Sequence, residues 1–178
     1  MNEVAKGSWA NAYSNGEFVC IETVSGYRGG THSDPKGAEH YLDSGASDEA
    51  LGSAVLDAMA RSRFVLSSPR VGSVYPPGLE FDTELYDPKK IAERYAAWKS
   101  SLMQRYGYKS QQALFEGMRH CSIQEQGGQI TISPSHHQSL EGWGRTKGDG
   151  IEDVVLPADG RPAEIGAALR LAISRCTE

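Results

Sequence analysis

Two groups of acidic residues stand out among the side chains of this chain that could take part in chemistry or binding. One group lies between positions 80 and 87 and the other between positions 149 and 153, and aromatic residues accompany both. Carboxylates beside aromatic anchors are typical of protein–protein interfaces, although a solvated surface is the alternative. The pattern predicts a partner-binding set that consists of Glu80, Phe81, Asp82, Glu84, Tyr86, Asp87, Trp143, Asp149, Glu152 and Asp153.

Histidines and cysteines are the residues that would form a metal site. None of the five histidines is paired with another ligand three or four residues away on a predicted helix, and His136 and His137 are neighbours whose rings point to opposite sides of an extended backbone. The cysteines Cys20, Cys121 and Cys176 are far apart and form no CxxC pair, which favours free thiols. We therefore expect neither a metal nor a cofactor.

A hydrolytic enzyme would need a nucleophile that faces a general base. Cys121 follows His120 and Ser135 precedes His136, but adjacency in the chain does not provide facing geometry. Neither residue lies in a known nucleophile motif. The sequence therefore predicts that the chain is not an enzyme.

The glycine-rich segment 26–37 is the basis of an alternative function. It contains four glycines and three basic side chains after a predicted strand, which is broadly how a phosphate-binding loop looks. It lacks the Gly-Lys-Ser/Thr ending, and no helix clearly begins after it, so a structural turn is the main interpretation. A small enzyme or nucleotide-binding protein that uses this segment with His136 or His137 remains the alternative.

Composition and charge narrow the function class. The 178 residues carry a formal net charge of −5, which argues against a general nucleic-acid binder and is suited to a basic partner. Apolar runs are too short for a membrane span, and the first residues lack the features of a signal peptide. We expect a single domain over residues 1–178 that is located in the cytoplasm.

A repeated unit must help to position these residues. A short apolar strand, a polar turn and a small-residue helix run from 41 to 61 and again from 155 to 175. The two copies are offset by 114 residues, which aligns Leu51 with Ile165. In this alignment Gly52 matches Gly166, and each glycine lies one turn into its helix. Glycine inside a helix costs roughly 1 kcal/mol relative to alanine. The repeat therefore predicts two strand–helix units that share a core, with each helix backbone packed closely against a sheet.

The rest of the chain is assigned from periodicity, capping residues and turn signals. We predict an α/β (α+β) fold with one domain, in which a mixed sheet of five or six strands packs against about four helices. The predicted elements are an irregular N-terminal arm (1–15), a central strand (17–24), a loop (25–37), helices at 48–61, 88–106, 111–118 and 162–175, an exposed loop rich in proline, glycine and acids (66–86), a hairpin (121–133) that turns at Gly127 and Gly128, and a strand at 154–156.

A succession of sequence blocks resembles one known family, the contact-dependent growth inhibition immunity proteins (CdiI-type). The blocks are residues 25–40, 47–52, 94–98 with 106–109, 130–137 and 162–170, in the family's order. The resemblance implies a non-catalytic, cytoplasmic bacterial protein that binds and neutralises the C-terminal toxin domain of an effector from a neighbouring cell. The implied toxin is a basic nuclease, commonly an RNase that cleaves tRNA, bound one-to-one. It also implies no direct contact with nucleic acid or membrane.

Overall fold

The computed structural model describes residues 5–178, which contain eleven strands and four helices. Seven of the strands form an antiparallel sheet with helices on both faces, and the other four form two short two-stranded sheets. The strands are β1 (Ser8–Ser14), β2 (Phe18–Tyr27), β3 (Gly30–Ser33), β4 (Glu39–Asp43), β5 (Val65–Leu66), β6 (Glu80–Phe81), β7 (Arg119–Gln126), β8 (Gln129–Pro134), β9 (His136–Ser139), β10 (Gly142–Gly144) and β11 (Val154–Pro157). The helices are α1 (Asp48–Ala60), α2 (Pro88–Tyr106), α3 (Gln111–Phe115) and α4 (Pro162–Arg175). The α+β class and the number of helices are as predicted.

The main sheet has the order β11-β8-β7-β1-β2, and both β3 and β4 pair with β2 at the far edge. The first face is apolar and lies under α1 and α4. The second face is covered by α2 and α3 only above β1 and β2, where Phe18 and Cys20 contact Trp98, Leu102 and neighbouring residues. Strand β2 is therefore buried on both faces along most of its length, as predicted from its apolar residues at both odd and even positions.

The repeated unit extends further than the sequence repeat shows. Val19 on β2 pairs with Leu42 on β4, and Ile130 on β8 pairs with Leu156 on β11. Two hairpins, β1–β2 and β7–β8, precede these strands, and they meet where β1 pairs with β7. The units β1-β2-β4-α1 and β7-β8-β11-α4 are thus related by an approximate two-fold axis between β1 and β7. All other elements are insertions into this frame.

The two repeat glycines have a different role from the predicted one. A Cβ atom on Gly52 would overlap the carbonyl group of Pro162, and a Cβ on Gly166 would overlap that of Asp48. Pro162 and Asp48 are the first residues of the opposite helices. The glycines therefore allow α1 and α4 to cross in contact with each other, and the prediction of a close helix–sheet approach was wrong. The small residues Ala54, Ala58, Ala168 and Ala172 belong to the same apolar cluster.

Two segments differ from the predicted secondary structure. Residues 8–14 of the predicted irregular arm form β1, a central strand whose Ala10 and Ala12 are buried; residues 1–4 lie outside the described residues. Small alanines give a weak hydrophobic alternation, which is why the strand is not evident in the sequence. The predicted loop 25–37 is in part the end of β2 and β3, a hairpin that turns at Arg28, which has a φ of 54°.

The other local predictions agree with the structure. Ser47 caps α1, Asp87 caps α2 and Gly107 ends α2 in the left-handed conformation. The β7–β8 hairpin pairs Ile123 with Ile132 as predicted, whereas α3 ends at Phe115. Segment 66–86 is mainly irregular and exposed, although Leu85 is buried. No helix within residues 5–178 combines the length and apolar character needed to cross a membrane.

Candidate partner-binding cleft

A cleft of about 660 Å³ lies between the second face of the sheet and α2. Strands β1 and β2 form its floor, β3 and the 34–39 turn form one wall, and α2 forms the other wall. The polar side chains that line it include Asn11, Tyr13, Glu22, Thr23, Thr31, His32, Ser33, Asp34, Glu39, Arg94, Tyr95 and Ser101. A concave site of this size with convergent polar groups is the default binding site of a protein.

Glu22 is the buried carboxylate on the floor of this cleft. It is 9% exposed, and its Oε1 atom accepts hydrogen bonds from Ser33 Oγ at 2.7 Å and from Asn11 Nδ2 at 3.3 Å. Both donors are neutral. Burial raises the pKa of Glu22 above its ordinary value, with the two hydrogen bonds acting in the opposite direction. A buried carboxylate with neutral donors favours a cationic or hydrogen-bond-donating group in the cleft above it.

A charged network stabilises the wall of the cleft. The Asp34 side chain is fully buried and accepts hydrogen bonds from Arg63 Nε at 2.6 Å and from Ser25 Oγ at 2.6 Å. Arg63 also donates to Asp82 Oδ2 at 3.0 Å, and Lys36 lies 3.4 Å from the same oxygen. These partners lower the pKa of both carboxyl groups, although burial opposes the effect. The network joins the cleft wall to the segment that carries the first acidic group.

The first predicted group lies beside the cleft, joined to its wall by this network, and none of its residues lines the cleft itself. We refer to segment 80–87 as the rim of the cleft. Glu80, Phe81 and Glu84 are exposed. Asp82 is largely covered by its two basic partners, Tyr86 donates a hydrogen bond from Oη to Val65 O at 2.7 Å, and Asp87 caps α2. Arg94 of α2 donates to the carbonyl groups of residues 84 and 85, which fixes this segment against the cleft.

The acidic residues of the second predicted group lie near the β11 edge of the sheet, whereas Trp143 packs in the cluster under α2 and α3, beside Tyr13. Arg145 forms ion pairs with Asp149 at 2.7 Å and with Asp153 at 3.0 Å, and these contacts hold the loop that leads into β11. The Arg145 guanidinium lowers the pKa of Asp149. Glu152 is exposed. Trp143 is partly buried, donates from Nε1 to Met118 O at 2.8 Å and stacks on the His137 ring.

The structure does not bring the two acidic groups together. The first group is joined to the β3 edge through Tyr86, which also donates to Gly30 O, and the second group precedes β11 at the opposite edge. Five strand spacings of about 4.8 Å separate these edges, or roughly 24 Å. Each group would therefore contribute to a different part of an interface.

The residues of the alternative function also lie apart. Segment 26–37 is at the β3 edge, whereas His136 contacts Thr177 and His137 contacts Leu140 O beyond β7. Within residues 5–178, no group of three or more histidine, cysteine, aspartate or glutamate side chains is arranged to hold a metal ion. The alternative of one site that combines this segment with the histidine pair is not supported.

The adjacent residues considered as nucleophile and base have other contacts. Ser135 Oγ donates to the carbonyl oxygen of His120 at 2.6 Å, and Cys121 Sγ contacts Cys176 Sγ at 3.7 Å. His120 Nε2 lies 3.0 Å from Asn11 Oδ1. Burial lowers the pKa of His120 to about 4. Ser135 is 5% exposed and its hydroxyl is bound to a carbonyl, so these contacts are those of a packed core.

Sequence reasoning missed the floor of the cleft. Glu22 is an acidic residue in the middle of an otherwise apolar central strand, Phe-Val-Cys-Ile-Glu-Thr-Val. A charge at a buried strand position is unusual and was the available signal. Its neighbours Asn11 and Ser33 gave no such signal, because they come from segments predicted to be irregular.

Comparison with known proteins identifies the family. A family model described as CDI immunity protein matches residues 8–176. The chain belongs to this family. This immunity protein is 46% identical over 176 residues to the immunity protein CdiI-YPIII of Yersinia pseudotuberculosis serotype O:3 (strain YPIII), with 99% of each chain covered.

Two solved structures share the fold of this immunity protein. One is a chain of the CdiA-CT/CdiI toxin and immunity complex from Yersinia pseudotuberculosis, with a TM-score of 0.92, 45% identity, and 97% of this chain and 98% of that chain covered. The other is a protein of unknown function from Neisseria meningitidis, with a TM-score of 0.80, 36% identity, and 99% of this chain and 98% of that chain covered. These comparisons agree with the family resemblance of the sequence blocks.

Proposed function

We propose that this immunity protein binds the C-terminal toxin domain of a contact-dependent growth inhibition effector, and that the interface covers the cleft and its acidic rim. The similarity to a chain of a toxin and immunity complex supports a protein partner. The single observation that carries the proposed location is the buried Glu22 carboxylate at the base of the cleft, where both of its donors are neutral.

The charges around the cleft favour a basic surface on the toxin. Three carboxylates, Glu22, Asp34 and Glu39, line the cleft beside one arginine, Arg94. Arg63 balances Asp34, which leaves the floor acidic. A lysine or arginine side chain of the toxin that enters the cleft would pair with Glu22. The exposed Phe81 at the rim supplies an apolar contact.

We further propose that the toxin is a nuclease, specifically an RNase that cleaves tRNA, and that one immunity protein binds one toxin. The family resemblance suggests this chemistry, and the net charge of −5 is consistent with a basic RNA-binding partner. The antidote would then act by occupying the toxin surface and would perform no chemistry itself.

Co-expression tests the function. Cells that produce the toxin encoded next to this chain should stop growing and lose intact tRNA, and co-production of the immunity protein should restore both. Continued growth arrest at equal soluble levels of the two proteins would contradict the antidote function. Restored growth with tRNA intact in the arrested cells would retain the antidote and reject the tRNase.

A pair of charge-reversal variants tests the location. E80K/E84K alters exposed side chains at the cleft rim, and E152K/D159K alters exposed side chains at the opposite edge, so each is the control for the other. We expect the first variant to slow association with a basic toxin about tenfold at low salt and the second to slow it less than twofold. Stopped-flow association at two salt concentrations measures this. Asp82 is unsuitable for such a test, because its reversal would disrupt the Arg63 network. The opposite ranking of the two variants would place the interface at the β11 edge.

A further inference from the structure

Two cysteines from distant parts of the chain are in contact in the core of the first face. Cys121 on β7 is fully buried, and Cys176, the residue that follows α4, is 8% exposed. Their Sγ atoms are 3.7 Å apart. A disulfide requires about 2.0 Å between the sulfurs, so bond formation needs an approach of roughly 1.7 Å.

The surroundings make Cys176 the more reactive thiol of the pair. The contact with Cys121 lowers the pKa of Cys176, and the nearby Arg119 guanidinium acts in the same direction, while burial opposes both. The same contact, together with burial, raises the pKa of Cys121. Cys176 is also the more exposed of the two residues, so it is placed to meet a peroxide first, with Cys121 as a resolving thiol in direct contact.

We propose that Cys121 and Cys176 form a reversible disulfide when the protein meets a peroxide. The Cys176 thiolate attacks one peroxide oxygen, the O–O bond breaks, and the sulfur becomes a sulfenic acid while hydroxide leaves. The Cys121 sulfur then attacks the Cys176 sulfur, and the hydroxyl group leaves with the Cys121 proton as water. Two thiols lose two electrons to one peroxide molecule, and a dithiol reductant reverses the reaction.

The bond would join three elements at one point. Residue 177, directly after Cys176, donates from its N–H to Ser135 O at 3.2 Å and accepts from the N–H of His137 at 2.8 Å. A covalent link to β7 would hold the end of α4, and with it this connection to β9. Oxidation is thus expected to stabilise the fold rather than to disrupt it, because the link constrains the unfolded chain.

Cys20 provides a control within the same molecule. It is fully buried on the second face of the sheet, in a different apolar cluster from the pair. Burial raises the pKa of its thiol. Cys20 should therefore remain a thiol under conditions that oxidise the pair.

The test uses the full chain at neutral pH with hydrogen peroxide, followed by alkylation in denaturant, intact mass measurement and peptide mapping. We expect a loss of about 2 Da, a cross-linked peptide pair containing Cys121 and Cys176, and alkylation at Cys20 only. Dithiothreitol should restore three alkylated cysteines. Over-oxidised Cys176 with alkylated Cys121, or oxidation of Cys20 at the same rate as the pair, would overturn the proposal.

Two further measurements test the stabilising effect of the bond and the identity of the attacking thiol. The melting temperature of the oxidised wild-type protein should exceed that of the reduced protein by about 5 °C or more, and an unchanged or lower value would contradict the stabilising link. Cys20→Ser is the matched variant and should form the same bond. In Cys121→Ser the sulfenic acid on Cys176 should persist and react with dimedone; a folded variant without the adduct would reject Cys176 as the attacking thiol.

Discussion

The two faces of the sheet are built on different principles. The first face is covered by α1 and α4, which an approximate two-fold axis relates, and its cluster is almost wholly apolar. The second face is covered by α2 and α3 over only one half of the sheet and contains the cleft, the buried Glu22 and the Asp34–Arg63–Asp82 network. Symmetry and apolar packing mark the scaffold, whereas insertions and buried charge mark the face that we propose recognises a partner.

The largest effect on stability is expected from the loss of Arg63 on the second face. Arg63→Ala would leave the buried Asp34 carboxylate without its cation, and we expect the free energy of unfolding to fall by about 3 kcal/mol. Urea denaturation measures it. Arg61→Ala is the control, because Arg61 is an exposed partner of Asp57 and its loss should change stability by less than about 0.5 kcal/mol. Equal losses of stability in Arg63→Ala and Arg61→Ala would show that the buried network contributes no more than an exposed ion pair.

A smaller effect is expected where the helices cross on the first face. Gly52→Ala places a Cβ against the carbonyl of Pro162 and must push α1 and α4 apart, at a cost of about 2 kcal/mol despite the better helix propensity of alanine. Gly45→Ala is the control, since a Cβ there has no neighbour within 4 Å. Thermal and urea unfolding should separate the two variants. If Gly52→Ala were as stable as the control, the crossing would be looser than described.

The smallest expected effect concerns acid stability and originates on the second face. The His120 ring packs against the rings of Tyr13 and Trp143, and burial lowers its pKa to about 4. The unfolded chain therefore binds the extra proton more readily, so the stabilisation is complete above about pH 6.5 and is lost as the pH falls toward 4. We expect wild type to lose about 1.4 kcal/mol more than His120→Gln between pH 8 and pH 5.5.

The free energy of unfolding of wild type and of His120→Gln is measured at the same pH values in the same buffers. The carboxylates that both proteins share then contribute equally, so the difference between the two pH profiles reports His120. Parallel pH profiles for wild type and His120→Gln would show that His120 titrates similarly in the folded and unfolded states.

Local signals in the sequence were sufficient for much of the fold. Asp87, Pro88 and Gly107 define α2, and the Gly127–Gly128 turn sets the register of its hairpin, because capping and turn chemistry act within a few residues. Strand β1 was missed although it pairs with β2 in a local hairpin, because its buried face rests on the small residues Ala10 and Ala12. Its other partner, β7, is more than a hundred residues away, and no local pattern reports such a partner.

The candidate site was predictable only in part for the same reason. The acidic residues were evident, but the cations that bind some of them were not: Arg63 is 19 residues from Asp82, and Lys36 is 46 residues away. A carboxylate with distant partners looks like a free surface charge in the sequence. The glycines Gly52 and Gly166 show a similar limit. Their equivalent positions in the repeat were evident in the sequence, but the contact between the two helices that they allow was not.

The crossing of α1 and α4 has a consequence for how the protein is made. The helices belong to opposite ends of the chain, so the apolar surface beside α1 stays uncovered until residues 162–175 have left the ribosome. Contacts between such distant segments also form slowly. A partly synthesised chain would expose this surface to chaperones and proteases. Protection of the cell would therefore depend on completed molecules accumulated in advance, rather than on chains still in synthesis when a toxin arrives.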